Sequence, residues 1–178
     1  MKYISVAVDG PAGAGKSSVS KAVAKSLGYT YIDTGAMYRA VALFAINNGI
    51  DAKNETEKLV SHLNEVEIDI KYTDDGQQIY LLGENVSKRI REEDVSVGAS
   101  NVAVIPEVRK KLVELQRKMA ESANVIMDGR DICSYVLPNA DVKIFLTASA
   151  ESMLRHQLFS KVQRLFENRS CHDIPYRL

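Results

Sequence analysis

Residues 10–17 read Gly10-Pro11-Ala12-Gly13-Ala14-Gly15-Lys16-Ser17, an order of residue types suited to gripping a polyphosphate. Glycine at 10 and 15 lets the main chain turn tightly and bring successive N–H groups onto phosphate oxygens. Lysine at 16 reaches the outer phosphates, and the hydroxyl at 17 is a ligand for Mg²⁺. Gly10, Pro11, Ala12, Gly13, Ala14, Gly15, Lys16, Ser17 and Ser18 are the expected contacts to a nucleoside triphosphate such as ATP. A helix opening at the end of the loop adds its positive dipole.

Further chemistry-bearing residues stand where an open α/β sheet places its ligands, just past strand ends. They are Asp9, then Asp33-Thr34-Gly35 with Tyr38 and Arg39, then Asp128-Gly129-Arg130-Asp131. An acid ending a buried strand is what a phosphate-loop protein uses to hold the hydration shell of magnesium. Asp128 suits that task best, beside Ser17 as the direct ligand, and Asp9 is the second candidate. Arg39, Arg109 and Arg130 are candidate clamps for a second phosphate-bearing molecule, because guanidinium grips phosphate through paired hydrogen bonds. Plainer readings stay open. Arg109 beside Lys110 and Lys111 also fits a solvated helix face, Arg130 between two acids also fits an internal pair, and Asp33 also fits a helix cap.

Alternating strands and helices position these residues. Apolar runs predict core strands at 4–8, 29–32, 124–127 and 142–146. Helices are expected over 16–27, 36–48, 55–63, 106–121 and 150–166. In the first helix Val19, Ala22, Val23 and Leu27 share one face, and Gly28 stops it. Val66 to Lys71 alternates apolar and polar, Asp74-Asp75-Gly76 reads as a turn, and Gln78 to Leu82 follows. That pattern predicts a small antiparallel piece, assigned to 65–92, inserted in a parallel α/β chain.

The chain has 178 residues with 23 basic and 23 acidic side chains. Balanced charge removes any global pull toward nucleic acid or an anionic membrane. No apolar run reaches the roughly 18 residues a membrane span needs. Two cysteines and no leader ahead of Asp9 give the expectation of a cytoplasmic protein, here taken as a monomer. Cys133 reads as a small buried neighbour rather than a reactive thiol. Cys171-His172-Asp173 is too compact to share one metal ion, and His62 and His156 read as surface helix residues.

With these residues in place, the sequence resembles the bacterial-type cytidylate kinases of the nucleoside monophosphate kinase group. VDGPAGAGKSS, YIDTGAMYRAVAL, VSKRIREEDVSVGASNVAVIPEVRKKLVELQR, MDGRDI and VLPNADVKIFLTASAE carry the likeness and cover most of 1–151. The resemblance implies a single P-loop kinase domain over 1–178. Its expected fold is three-layer α/β, a mostly parallel sheet covered by helices, with 65–92 as the acceptor-side insert. It implies transfer of phosphate from ATP to CMP or dCMP with Mg²⁺, and no nucleic-acid or membrane partner. Lys16, Arg39, Asp128 and Arg130 would be catalytic, and Ser17 and Asp128 would serve the metal. Thr34, Arg39 and Arg130 would lie at the CMP phosphate and its surroundings, while Ser100, Arg109 and Asp131 would read the cytosine.

The likeness breaks after 151. The family continues into an arginine-rich lid, a helix whose arginine and aspartate grip CMP, and a last core strand. Here 152–178 reads as a divergent tail, with Arg155 and Arg164 the only candidates to stand in for the lid arginines. The family's last strand is therefore expected to be missing, and phosphoryl transfer is expected to be weakened. Cys133-Ser134 also departs from the glycine-threonine that follows GRDI in the family. Two other readings remain: a P-loop kinase for another small molecule, and a non-catalytic nucleotide-binding module.

Overall fold

The computed structural model describes residues 2–73 and 76–155. The turn expected at Asp74-Asp75, the far part of the helix expected over 150–166, and the tail with His156, Arg164 and Cys171-His172-Asp173 lie outside the described residues.

Four parallel strands form the central sheet: β1 (Ser5–Asp9), β2 (Thr30–Asp33), β6 (Val125–Asp128) and β7 (Val142–Phe145), in the order β2-β6-β1-β7. Strand β6 lies between β1 and β2, with Val8 opposite Asp128 and Asp33 opposite Asp128 in register. The three acid-bearing strand ends therefore meet at one edge of the sheet. Alternation along the strands sorts the core into two layers. Val6, Val8, Tyr31 and Ile126 face α1 (Lys16–Leu27) with Ala24. On the other face Ala7, Ile32, Val125 and Met127 join α2 (Thr34–Asn47) and α5 (Pro106–Ser122) in the main core.

Between these lie α3 (Thr56–Ser61) and a second sheet, antiparallel, of β3 (Ile68–Thr73), β4 (Gly76–Leu81) and β5 (Glu84–Asn85). It closes on the main body through Ile68, Ile79 and Leu81, all buried in the main core. A helix that the apolar pattern does not predict follows, α4 (Glu93–Val102). Its valines and glycine are poor helix formers, and only Val95 and Val102 are buried. Packing makes it: a Cβ on Gly98 would meet Ala42 Cβ at 3.2 Å, so the missing side chain lets α4 lie close against α2.

Two expectations shift. The second helix begins at Thr34 rather than 36, because Asp33 caps it and accepts the Ala36 N–H at 3.0 Å. In α1 it is Ser20 and Ala24 that are buried, while Val19, Val23 and Leu27 stay exposed. The helix rests on the sheet through its small residues, which allow close approach, and its apolar stripe points away. Val142, Ile144 and Phe145 of β7 are exposed too, and β7 is an edge strand among the described residues. No described helix is long and apolar enough to cross a membrane.

At the opposite end of the strands Asp141 ties the start of β1 to β7. Its carboxylate accepts Lys2 Nζ at 2.6 Å, Ser5 N–H at 3.0 Å and Ser5 Oγ at 3.1 Å. These bonds, the lysine's first, hold its pKa down to about 2. A depressed pKa stabilises the fold above the unfolded value of roughly 4 and loses that contribution as pH falls toward 2. Asp141→Asn should flatten the fall in melting temperature between pH 4 and 2, measured by thermal unfolding against pH. An unchanged slope would show that the tie carries no stability.

Candidate functional site

Strand β1 runs directly into the glycine-rich loop. Gly10 has φ 146°, and a Cβ there would collide with the Leu146 carbonyl oxygen just past β7. Leu146 N–H in turn donates to the Asp9 carbonyl at 2.8 Å. Close approach of two chains thus demands glycine at the first loop position. At the far end Gly15, with φ 82°, is the left-handed N-cap of α1, and neither a side-chain cap nor a first-turn acid competes for the helix amides. Those leading N–H groups have no intrahelical acceptor and carry the positive end of the dipole. Pro11, Ala12, Ser17 and Ser18 are exposed around them, with Gly13 to Lys16 half-buried.

Lys16 folds back over the loop and donates from Nζ to the Pro11 carbonyl at 2.9 Å. Burial lowers its pKa below the ordinary lysine range; Asp128 opposes the shift and the charge of Arg130 adds to it. Two cations therefore stand beside the phosphate loop. Arg130 is exposed and forms no ion pair among the described residues. The acids flanking it are engaged elsewhere, so the internal pairing that its sequence neighbours suggest does not form.

Asp128 is the junction of the site, only 3% exposed. Its Oδ2 accepts the Ser17 hydroxyl at 2.7 Å and its Oδ1 accepts the Tyr31 phenol at 3.0 Å. Its main-chain carbonyl accepts the Thr34 hydroxyl at 2.8 Å. Burial pushes the Asp128 pKa up, with Asp33 adding to the rise and the Ser17 and Tyr31 bonds opposing it. Ser17 Oγ and the Asp128 carboxylate are hard oxygen donors side by side, a set that fits Mg²⁺ rather than a softer ion. Thr34 is buried with its hydroxyl spent on the strand end.

Asp9 has a different task. Both of its oxygens accept main-chain amides, from Ile132 at 2.8 Å and Cys133 at 2.9 Å. These open the π-helical turn Ile132–Val136 directly after Asp131. Asp9 therefore anchors the segment carrying Arg130 and Asp131. Beside it the Cys133 thiol is partly buried, and burial raises its pKa above the usual range.

On the acceptor side Asp33 caps α2 and pairs with Arg39 at 3.0 Å. Gln77 of β4 reaches across from the insert, its Oε1 accepting the Asp33 N–H at 2.9 Å. Arg39 Nε and Gln77 Nε2 are buried donors without a partner among the described residues. Both line a cleft shared with Lys21, Tyr31, Asp33, Ser87 and Arg91. Open donors lining such a cleft can serve a further acceptor, a water or an anionic oxygen. Further along, Arg109 Nη2 bonds Asp131 Oδ2 at 2.5 Å, and its guanidinium stands 5.4 Å from the Tyr135 ring centre. Tyr38 lies close enough for its phenol, raised in pKa by burial, to feel both Arg109 and Asp131. Arg109 is thus half-buried and paired, unlike exposed Lys110 beside it. Ser100 is on the exposed side of α4 and no side-chain hydrogen bond joins it to this group.

The residue pattern alone does not single out Tyr31, Gln77 or Tyr135. Tyr31 carries a usable signal, a hydroxyl two residues before the acid on a strand beside that of Asp128. Gln77 and Tyr135 carry none, since only the fold brings them to their partners. Taken together, the site can bind a polyphosphate at the loop, hold a second anion near Arg39, and neutralise charge between them with Lys16 and Arg130.

The sequence model of the cytidylate kinase family matches residues 6–169, reaching past the last of the family-like motifs. A cytidylate kinase of Caldicellulosiruptor saccharolyticus is 50% identical over 167 residues, covering 94% of this chain and 74% of the relative. One from Anoxybacillus flavithermus is 47% identical over 163 residues, 92% of this chain and 72% of the relative. One from Flavobacterium johnsoniae is 46% identical over 179 residues, 98% and 77%. The chain spans about three quarters of their length.

The anchoring task assigned to Asp9 has a direct check. Asp9→Ala orphans the Ile132 and Cys133 amides, at about 1–3 kcal/mol for each buried donor. Urea unfolding should show that loss, and Asp9→Asn, which keeps one acceptor oxygen, should lose less. Equal stability in all three proteins would remove the anchor.

Proposed function

The chain belongs to the cytidylate kinase family, and on that premise we propose that it transfers the terminal phosphoryl group of ATP to CMP or dCMP, giving ADP with CDP or dCDP. The observation carrying this reading is the double engagement of Asp128. Its side chain is held by the phosphate loop through Ser17, and its main chain by the start of α2 through Thr34. Donor and acceptor sides are thereby fixed to one strand end.

Roles follow from position. The main-chain N–H groups of residues 10–18, which Pro11 alone lacks, and the Lys16 side chain would hold the ATP phosphates. Ser17 and Asp128 would hold Mg²⁺, which would supply charge neutralisation at the phosphates. Arg39, with its unpartnered Nε, supports a contact to the acceptor phosphate, and exposed Arg130 is free to meet the group in transfer. Arg109 and Asp131 offer donor and acceptor edges of the kind a cytosine complements, with Tyr38 beside them. Thr34 supports the acceptor site by bonding the Asp128 carbonyl, while Ser100, on the exposed side of α4, keeps a base-reading role only from the family resemblance. The chemistry asks for alignment and charge neutralisation rather than a covalent partner. Water has to be kept out, and the 65–92 insert, tied to Asp33 by Gln77, is the element suited to closing over the acceptor. We place the protein in the cytoplasm as a monomer without nucleic-acid or membrane partners, on its balanced charge and cysteine usage.

Lys16→Ala should weaken binding of an ATP analogue by about 10- to 100-fold, the equivalent of one charge-assisted hydrogen bond, read by calorimetry. Unchanged affinity would sink the phosphate-loop assignment. With the analogue bound, CMP should raise the melting temperature while AMP, shikimate and gluconate should not. Stabilisation by ATP alone would leave a nucleotide-binding module. Coupled ADP release with CMP measures the rate, and turnover on the order of 1–100 s⁻¹ would overturn the expected weakening attributed to 152–178.

A further inference from the structure

We propose that Tyr135 is a positioning residue that presents the Arg109 guanidinium to the pyrimidine base and so sets part of the base selectivity; this rests on the substrate reading above. Arg109 has one side-chain hydrogen bond among the described residues, to Asp131, and is half-exposed. One contact leaves a guanidinium able to swing. The Tyr135 ring, 5.4 Å from it, supplies the second point that fixes its plane.

The ring can do this because its own main chain is held from three sides. Asp9 binds the amides of Ile132 and Cys133 at the start of the turn. Tyr135 N–H donates to the Asp131 carbonyl at 2.9 Å. Arg117, eight residues beyond Arg109 on α5, donates Nε to the Val136 carbonyl at 2.9 Å and Nη2 to the Tyr135 carbonyl at 2.7 Å. Its guanidinium also flanks the same ring, at 6.0 Å. Both arginines of α5 thus stand beside the half-exposed ring, Arg117 bracing the main chain of the turn and Arg109 held for the ligand. Asp131, which pairs with Arg109, begins that same turn. The acid and the guanidinium facing the base are therefore set by one rigid piece. Cytosine pairs an exocyclic amine with ring acceptors, whereas uracil places a donor at the ring nitrogen. A fixed guanidinium–carboxylate pair can tell them apart and a swinging one cannot.

The test compares Tyr135→Leu and Tyr135→Phe with the parent protein. CMP binding in the presence of an ATP analogue is measured by calorimetry, steady-state KM and kcat for CMP, UMP and ATP are determined, and melting temperatures check folding. Tyr135→Leu should raise the KM for CMP by about 2- to 5-fold, the size of one partly exposed cation–π contact. The change should fall on KM rather than kcat, leave the KM for ATP in place, and narrow the preference for CMP over UMP. Tyr135→Phe keeps the ring and should restore the parent values. Parent protein that binds CMP alongside an indifferent Leu variant would overturn this inference alone. An equal rise in the KM for ATP, or failure of Phe to restore, would overturn it as well, by showing general loosening. Parent protein that binds no CMP would overturn the substrate reading and this inference with it.

Discussion

A buried carboxylate is the constraint around which the rest is arranged. Asp128 ends the most enclosed strand of the sheet, between β1 and β2, where burial alone favours its neutral form. Hydrogen bonds from Ser17 and Tyr31 favour the anion instead, and Lys16 adds an opposing charge. These groups come from two elements, Lys16 and Ser17 from the first turn of α1 and Tyr31 from strand β2. Keeping an acid at that point therefore obliges the phosphate loop and the acceptor strand to be in place together. The fold and the site are specified by the same contacts.

The acceptor side extends this logic outward. Asp33, in register with Asp128, spends its carboxylate on the α2 cap and on Arg39, and its main-chain N–H on Gln77 of the insert. A glutamine side chain thus carries the position of the antiparallel sheet to the base of the acceptor cleft. Arg39 keeps one buried donor open despite this pairing. An unsatisfied donor costs stability, and in the lining of this cleft it leaves a guanidinium nitrogen available to a further acceptor. The charge balance tells the same story. The chain as a whole is neutral, yet Lys16 and Arg130 stand together at the loop and Arg39 beside Arg91 in the cleft. Function here depends on where the cations are, not on their number.

Much of this is legible in the order of residues alone. The four core strands fall within a residue or so of their expected places, because apolar runs ending in an acid admit few other readings. The loop and its helix are legible because glycine spacing and a lysine–serine pair leave a narrow chemical choice. What escapes reading depends on tertiary packing. Helix α4 exists because Gly98 fits against Ala42, which no periodicity records. The burial of Ser20 and Ala24 in place of the apolar stripe of α1 follows from how closely the helix lies on the sheet. Tyr31, Gln77 and Tyr135 gain their places from partners 97, 44 and 26 positions away (Asp128, Asp33 and Arg109).

Asp9 shows why residue type and position together are still not role. It follows a buried strand, precedes the phosphate loop, and carries an oxygen donor, as a metal-serving acid does. Its two oxygens nevertheless accept two main-chain amides that have no other partner nearby, and a buried amide holds its acceptor because losing it costs about 1–3 kcal/mol. An acid so committed cannot swing to a cation without orphaning both donors. Asp128 differs because its partners are hydroxyls, which can rotate to donate elsewhere or turn a lone pair to a cation. The distinction between a structural carboxylate and a functional one thus lies in what donates to it. Main-chain amides lock Asp9 into the scaffold, and rotatable hydroxyls leave Asp128 available for chemistry.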